Sequence, residues 1–161
     1  MILTSSQKEA RARILKYLDL ETRGGCFYLL GEHLSGKSYL LREIAEEILK
    51  SKDSILNLNL FLSERVLREN EYEKLVKYGA TEKFKDYIRN YIAELIENQS
   101  NYKEVERNNR KIYLIIIDNT ELLLEYDIGI VPYFDSLSVK KSFEKKIILS
   151  LPGKVADNKI Y

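Results

Sequence analysis

A glycine-rich octapeptide near the amino terminus carries residue types that can bind a phosphate group. Residues 31–38 read Gly-Glu-His-Leu-Ser-Gly-Lys-Ser and match the pattern G-x-x-x-x-G-K-[ST] at every position. Gly31 and Gly36 allow the backbone to approach an anion closely. Lys37 can reach the β- and γ-phosphates, and the Ser38 hydroxyl can ligate Mg²⁺. The pattern therefore predicts a site for a nucleoside triphosphate.

The sequence on either side of this loop predicts the strand and the helix that such a loop requires. Residues 26–30 form an apolar run that is typical of a buried strand ending at the loop. Residues 38–50 place apolar side chains on one helical face, and the helix N terminus directs unpaired N–H groups toward a phosphate. The residues expected to contact the nucleotide, ATP, are Gly31, Glu32, His33, Leu34, Ser35, Gly36, Lys37, Ser38 and Tyr39.

A second apolar run ends in an acidic residue that can complete a metal site. Residues 113–117 read Tyr-Leu-Ile-Ile-Ile, and Asp118 follows them. A run that is apolar on both faces is typical of a central strand in a parallel sheet. Downstream of a phosphate-binding loop, an acidic residue in this position holds Mg²⁺. We expect Ser38 and Asp118 to bind Mg²⁺; the alternative is a carboxylate that caps the next turn.

An amide follows Asp118, where ATPases with an extra strand between the two motifs carry a glutamate that polarises the attacking water. Asn119 can orient a water molecule but cannot accept a proton near pH 7. Glu121, two residues further on, is a candidate substitute base. We therefore expect nucleotide binding to be intact and hydrolysis to be slow or partner-dependent. The expected catalytic residues are Lys37, Asp118, Asn119, Glu121 and Ser150.

Two polar residues, Ser150 and His33, each have two possible roles. Ser150 lies in the apolar run 147–151, where its hydroxyl needs a hydrogen-bonding partner. It is either a sensor of the γ-phosphate and the attacking water or a structural hydrogen-bonding group. His33 occupies a free position of the loop, where it is either exposed or in contact with the nucleotide.

Composition bounds the function further. The chain has 161 residues, with 26 basic and 25 acidic side chains, so one domain spanning residues 1–161 is expected and bulk charge favours neither nucleic acid nor acidic substrates. The single cysteine, Cys26, excludes an internal disulfide, and one histidine leaves no zinc site of conventional spacing. No apolar stretch is long enough to span a membrane and no secretory signal is present, so we expect a cytoplasmic protein without membrane contact.

The glycine-rich loop, with an apolar strand before it and a helix after it, predicts an α/β fold of the P-loop type with three layers, in which helices flank a mostly parallel central sheet. The remaining expected elements are a helix over residues 5–20 capped by Ser5 or Ser6, a half-buried edge strand over 55–62, helical sequence over 63–99 broken near Gly79, a polar loop over 98–110, and strands over 147–151 and 159–161.

Missing motifs narrow the class of nucleotide-binding protein. The chain lacks the guanine-specifying Asn-Lys-x-Asp, the Leu-Ser-Gly-Gly-Gln signature of transporter ATPases and the arginine-rich lid of small-molecule kinases. The order of its elements resembles the P-loop ATPases of the AAA+/STAND type. We expect the C-terminal helical lid of those ATPases to be missing, because residues 154–161 offer room for only one short strand, and no arginine is an evident in-cis finger. The adenine side of the site is therefore expected to be open unless residues 20–25, a second copy or a partner covers it.

A closer resemblance rests on segments throughout the chain. Besides the loop, these segments are Leu56-Asn57-Leu58, residues 62–67 (Leu-Ser-Glu-Arg-Val-Leu), residues 117–123 (Ile-Asp-Asn-Thr-Glu-Leu-Leu) and residues 149–153 (Leu-Ser-Leu-Pro-Gly). In them the sequence resembles the BrxF-like stand-alone P-loop ATPases of type 3 BREX (bacteriophage exclusion) systems. That resemblance implies a role in defence against phage together with other proteins of the system.

Three functional hypotheses follow from these residues. The first is a slow ATPase that becomes competent as a homo-oligomer or with a partner that supplies an arginine finger. The second is a module whose assembly is switched by ATP, which Asn119 favours. The third is an accessory ATPase of a DNA-handling complex, for which salt-sensitive DNA binding would be expected.

Overall fold

Helices and strands alternate along the chain. A computed structural model describes residues 3–20, 26–31, 36–68, 81–125, 129–138, 143–153, 155–156 and 159–160. The helices are α1 (Ser5–Asp19), α2 (Lys37–Ile44), which continues as a π-helical turn (Ala45–Leu49), α3 (Leu58–Arg68), α4 (Thr81–Glu97), α5 (Glu121–Glu125) and α6 (Ile130–Ser138). The strands are β1 (Cys26–Gly31), β2 (Leu56–Asn57), β3 (Lys103–Arg107), β4 (Arg110–Asp118), β5 (Lys145–Pro152), β6 (Val155–Ala156) and β7 (Lys159–Ile160).

Five of these strands form one sheet that is mostly parallel. The order is β1-β5-β4-β2, and each neighbouring pair in that order is parallel. β3 pairs antiparallel with the first half of β4, on the same edge that β2 occupies further along. The strand predicted to be central, β4, is paired on both sides, which confirms that expectation. β6 and β7 form a separate two-stranded antiparallel pair.

Alternate side chains of the sheet pack against helices on opposite faces, as the two-residue period of a strand requires. On one face, Ile116 and Ile148 lie in a buried cluster with side chains of α1 and α2. On the other face, Ile117 and Leu149 lie in a cluster with side chains of α3, α4, α5 and α6. The chain is therefore an α/β protein whose mostly parallel sheet is flanked by helices, as predicted.

The first helix is confirmed over nearly its whole predicted length, but its predicted cap is wrong. Thr4, rather than Ser5 or Ser6, is the N-cap residue: its side chain accepts a hydrogen bond from the Gln7 amide, and the Gln7 side chain accepts one from the Thr4 amide. This reciprocal pair is a capping box. It starts the helix one residue earlier than a cap at Ser5 would, and two residues earlier than a cap at Ser6.

The predicted strand over residues 55–62 is wrong beyond its third residue. Only Leu56 and Asn57 are extended, and a helix begins at Leu58. The Asn57 side chain accepts a 3.0 Å hydrogen bond from the Leu60 amide, which turns the chain into the helix. Leu58 and Leu62 are four residues apart and fully buried, whereas Leu60 between them is 57% exposed. The alternating leucines therefore contain the i, i+4 pair of a helical face.

The predicted polar loop over residues 98–110 is also wrong, because most of it forms a hairpin with β4. A short 3₁₀ turn (Gln99–Asn101) precedes β3, and Asn108 and Asn109 connect β3 to β4. Both asparagines have positive φ, at 51° and 60°. Paired positive φ values are typical of the tight turn that best fits the twist of a hairpin.

The remaining predictions are largely confirmed. Helices occupy residues 63–68 and 81–97 of the predicted helical segment 63–99, and the break near Gly79 lies outside the described residues. β5 extends the predicted strand 147–151 at both ends, and β7 falls within the predicted strand 159–161. Within the described part of the chain, no helix has the length and apolar character needed to cross a membrane.

Candidate functional site

Polar residues from separate parts of the chain meet at the carboxyl ends of three parallel strands. β1 ends at Gly31 and leads into the glycine-rich loop, β4 ends at Asp118, and Ser150 lies near the end of β5. β5 lies between β1 and β4 in the sheet. Ligands of open parallel sheets bind at this edge, outside the carboxyl ends of the strands. The sequence-predicted residues are therefore placed where such a fold forms a site.

Asp118 is the centre of this arrangement. Its side chain is 7% exposed, and each carboxylate oxygen accepts one hydroxyl hydrogen bond. Ser38 Oγ donates to Oδ2 over 2.6 Å, and Ser150 Oγ donates to Oδ1 over 2.5 Å. Hydrogen bonds to a carboxylate are stronger than those between neutral groups, which offsets part of the cost of burying the charge. The structure thus brings together the two predicted metal ligands, Ser38 and Asp118.

Ser150 has a defined partner in this state. Its hydroxyl is buried and bonds to Asp118, so the structural hydrogen bond that the sequence analysis considered is present. The same contact puts Ser150 directly beside the acidic residue expected to act with the phosphates, so a sensor role is compatible with it.

Lys37 connects the two ends of the glycine-rich loop. Its ammonium group donates a hydrogen bond to the carbonyl oxygen of Gly31, six residues earlier. Burial lowers the pKa of Lys37, while the carboxylates of Asp118 and Glu121 act in the opposite direction. At the other end of the loop, Gly36 has a φ of +89°, a left-handed conformation that favours glycine.

The remaining predicted loop contacts fall partly outside the described residues. Glu32, His33, Leu34 and Ser35 lie outside them, so their predicted roles stay predictions. Tyr39 is in the first turn of α2 and is half-buried.

Asn119 lies in the turn between β4 and α5, and Glu121 is the first residue of α5. Asn119 has a φ of +56° and is half-buried, and its carbonyl oxygen accepts a 2.8 Å hydrogen bond from the Asn59 amide. Glu121 is exposed, and its Oε2 accepts a 2.7 Å hydrogen bond from the Asn59 carboxamide. The Leu122 amide in turn donates to Asn59 Oδ1 over 3.1 Å. Both predicted residues are thus held at the site by one residue of α3, Asn59, through its backbone amide and its side chain.

Sequence reasoning missed two residues of this network. Asn59 was assigned to a strand, so nothing indicated that it would face the turn after Asp118. Thr120 is 1% exposed, and its hydroxyl donates a 2.6 Å hydrogen bond to the Ser150 carbonyl oxygen, which joins the ends of β4 and β5. A threonine two residues after the acidic residue at a strand end carries no pattern of its own.

An open cleft of about 490 Å³ lies beside Asp118. Its lining combines two cationic residues with two carboxylates and two amides, so it is polar and of mixed charge. Arg42, four residues beyond Ser38 on α2, is the arginine that lines it, and sequence analysis had not singled it out. The lining residues are Arg42, Lys52, Asp53, Ile55, Asn57, Asp118 and Asn119.

Comparison with known proteins identifies no relative of this chain: no protein-family model, no curated protein and no solved structure matches it. The chemistry of the site is accordingly argued from its own residues. What these offer is a buried carboxylate with two hydroxyl donors, a lysine at the mouth of a glycine-rich loop and a helix N terminus beside them.

Proposed function

We propose that the protein is a small P-loop NTPase with an AAA+/STAND-like core, which binds ATP with Mg²⁺ and hydrolyses it slowly or only with a partner. The observation that carries the proposal is the contact between Ser38 and Asp118, at 2.6 Å. The sequence pattern predicts that these two residues share one metal ion, although they are 80 positions apart. A chance match to the loop pattern would give no reason for them to meet.

Phosphate binding is supported by the groups around the loop. In the described state the Lys37 ammonium group bonds to the Gly31 carbonyl oxygen. A phosphate oxygen carries more negative charge than a carbonyl oxygen, so it would attract this group more strongly. The amino end of α2 adds unpaired backbone N–H groups and a partial positive charge. Lys37 and this helix end would together hold the β- and γ-phosphates.

The residues present fit a Mg²⁺ ion. Asp118 and Ser38 offer hard oxygen ligands in direct contact with each other, and Mg²⁺ is commonly held by one or two protein oxygens together with substrate phosphates and water. Bound Mg²⁺ would neutralise charge on the phosphates. Ser150, through its bond to the other carboxylate oxygen, would keep Asp118 oriented for this role.

Slow hydrolysis is supported by the residues after Asp118. Asn119 can only hydrogen-bond to a water molecule, so it cannot remove the proton from an attacking one. Glu121 is the acidic residue of the same turn, but it is exposed and bonded to Asn59. We therefore assign to Glu121 the role of a weak base, and we expect a second copy or another protein to complete the site. Other components of a phage-defence system in the cytoplasm are the partners that the sequence resemblance implies.

A second candidate function is supported by Asn119. If no group removes a proton efficiently, the protein would bind ATP and assemble with partners without turnover. A role in a DNA-handling complex would be indirect, through such partners.

The test is a calorimetric titration of the protein with ATP, in the presence and absence of Mg²⁺. Lys37→Ala should abolish binding and leave the circular dichroism spectrum unchanged, because Lys37 is only half-buried. Lys83→Ala, which removes an exposed lysine on α4, is the matched control and should bind ATP as the wild type does. Unchanged binding in Lys37→Ala, or no binding by the wild type, would contradict the proposal.

A further inference from the structure

One side chain outside the glycine-rich loop contacts the loop directly. Gln7, in the first turn of α1, donates a 3.2 Å hydrogen bond from Nε2 to the carbonyl oxygen of Gly36. Its Oε1 accepts a 2.8 Å hydrogen bond from the Thr4 amide, which closes the capping box of α1. A single carboxamide therefore joins the start of α1 to the end of the loop.

Only an amide of this length can make both bonds. The Thr4 amide requires an acceptor and the Gly36 carbonyl requires a donor, so the orientation of the Gln7 carboxamide is fixed by its partners. A glutamate would supply the acceptor alone. Helix capping by itself does not explain a glutamine here, because glutamate serves equally well in a capping box.

The Gly36 peptide is held from two sides. Its carbonyl oxygen also accepts a 3.0 Å hydrogen bond from the Leu40 amide, the first bond of α2. A Cβ atom at Gly36 would lie 2.4 Å from Gln7 Nε2, so the glycine is needed for this contact as well as for its φ of +89°. A second connection between the same helices, the ion pair of Arg11 with Glu47, lies further along α1. α1 and the loop helix are thus joined at two points.

We propose that Gln7 is a positioning residue of the nucleotide site, which fixes the Gly36 peptide in the conformation that receives phosphate. This inference rests on the proposed function of the loop. A loop that is already fixed loses less conformational freedom when its ligand binds, so affinity is higher. The same bond makes the first turn of α1 sensitive to whether the loop is occupied.

Three variants separate this role from helix capping. Gln7→Glu keeps the acceptor for Thr4 and loses the donor to Gly36. Gln7→Met loses both and adds no charge. Thr4→Ala weakens the cap and leaves the bond between Gln7 and Gly36 intact. The loss of one hydrogen bond should raise the Kd for ATP with Mg²⁺ about fivefold in both Gln7 variants, while Thr4→Ala should stay within about twofold of the wild type.

Two further readouts accompany the titration. Both Gln7 variants should unfold at a lower urea concentration than the wild type, because they lose the bond between α1 and Gly36, and Thr4→Ala should do so because its cap is weakened. Only the Gln7 variants should combine this loss of stability with a higher Kd. The side-chain amide signals of Gln7 in a nitrogen-15 spectrum can be assigned by their disappearance from the Gln7→Glu spectrum. They should shift when ATP is added to the wild type.

The outcomes distinguish this inference from the function on which it rests. Wild-type affinity in both Gln7 variants, or a loss in Thr4→Ala equal to theirs, would overturn the positioning role and leave nucleotide binding standing. A wild-type chain that binds no nucleotide would overturn the proposed function, and the positioning role with it.

Discussion

The carboxamide of Asn59 donates a 2.7 Å hydrogen bond to Oε2 of Glu121, joining α3 to the turn that follows Asp118. The backbone amide of Asn59 bonds to Asn119 in the same turn, and its side-chain oxygen accepts from the Leu122 amide. Glu121 also raises the pKa of Lys37 against the effect of burial, so its charge acts on the loop lysine. Among the residues of this turn, Glu121 is therefore the one that combines an ionisable group with proximity to the site.

Replacement of this glutamate tests whether it acts as the base. Glu121→Gln keeps the size of the side chain and removes its ability to accept a proton. We expect ATP turnover to fall about a hundredfold and the Kd for ATP to change less than about twofold. Phosphate release at saturating ATP and Mg²⁺ measures the first quantity, and the calorimetric titration measures the second.

A matched control for this change is Glu106→Gln, which removes an exposed carboxylate on β3 and should leave turnover unchanged. If the wild type turns over several ATP molecules per second as a monomer, and Glu121→Gln does so equally well, hydrolysis is not slow and Glu121 is not the base. No measurable turnover in either protein would favour the ATP-switched assembly module.

Ser150 is expected to matter for the metal ion as well as for stability. Ser150→Ala leaves a buried oxygen of Asp118 without its hydroxyl donor, which should lower the free energy of unfolding by about 1–3 kcal/mol. Because Asp118 is then less firmly oriented, more Mg²⁺ should be needed for half-maximal ATP binding. Urea unfolding and a Mg²⁺ titration at fixed ATP measure the two effects.

Ser138→Ala provides the comparison for that prediction. Ser138 is also buried, and its hydroxyl donates to the backbone carbonyl oxygen of Asp135, away from the candidate site. Its replacement should lower stability without changing the Mg²⁺ requirement. If the two serine variants have the same Mg²⁺ requirement, Ser150 has a structural role alone.

The strands with strong apolar patterns could be predicted from sequence. Where a strand ends and a helix begins could not. β1, β4 and β5 contain the apolar runs 26–30, 113–117 and 147–151, and a short run of this kind between polar segments leaves few alternatives to a strand covered on both faces. The leucines from residue 56 to residue 62 fit both a strand and a helix. In the structure a helix begins at Leu58, and the Asn57 side chain accepts a hydrogen bond from the Leu60 amide at its start. Local bonds of this kind are hard to see in a pattern of apolar residues.

The candidate site likewise has a part that the sequence predicts and a part that it does not. The glycine-rich loop is contiguous in sequence, so its residues predict phosphate binding without a structure. The contacts that link Asn59 with Glu121 and Thr120 with Ser150 join elements that are far apart in the chain. Such contacts depend on the order of strands in the sheet, which places β5 between β1 and β4. A single sequence carries little information on that order.

The thiol of Cys26 should make stability fall at alkaline pH. Burial raises the pKa of Cys26 from its ordinary value near 9 to about 12. Between these values the unfolded chain releases the proton and the folded chain keeps it, so this contribution is complete below pH 9 and is lost as the pH rises toward 12. The slope for this one group is at most about 1.4 kcal/mol per pH unit.

Urea unfolding of the wild type and Cys26→Ala at a series of pH values isolates this effect. The stability difference between them should be constant below about pH 8.5 and should shift in favour of Cys26→Ala above it. In the folded wild type at pH 8, the thiol should also react slowly with a disulfide reagent and rapidly once urea is added. A parallel pH dependence in both proteins, or rapid labelling of the folded chain, would contradict the prediction.

Association should respond to nucleotide if a second copy or a partner completes the site. Ser38 is exposed and the cleft beside Asp118 is open, so the site is accessible to a neighbouring chain. We expect the sedimentation coefficient to rise when ATP and Mg²⁺ are added, and turnover per chain to rise with protein concentration in the same samples. Assembly without turnover would identify the ATP-switched module instead.

Lys37→Ala should not assemble under either hypothesis, because it lacks the lysine that holds the phosphates. A sedimentation coefficient unaffected by ATP, together with turnover independent of protein concentration, would mean that one chain forms the complete site.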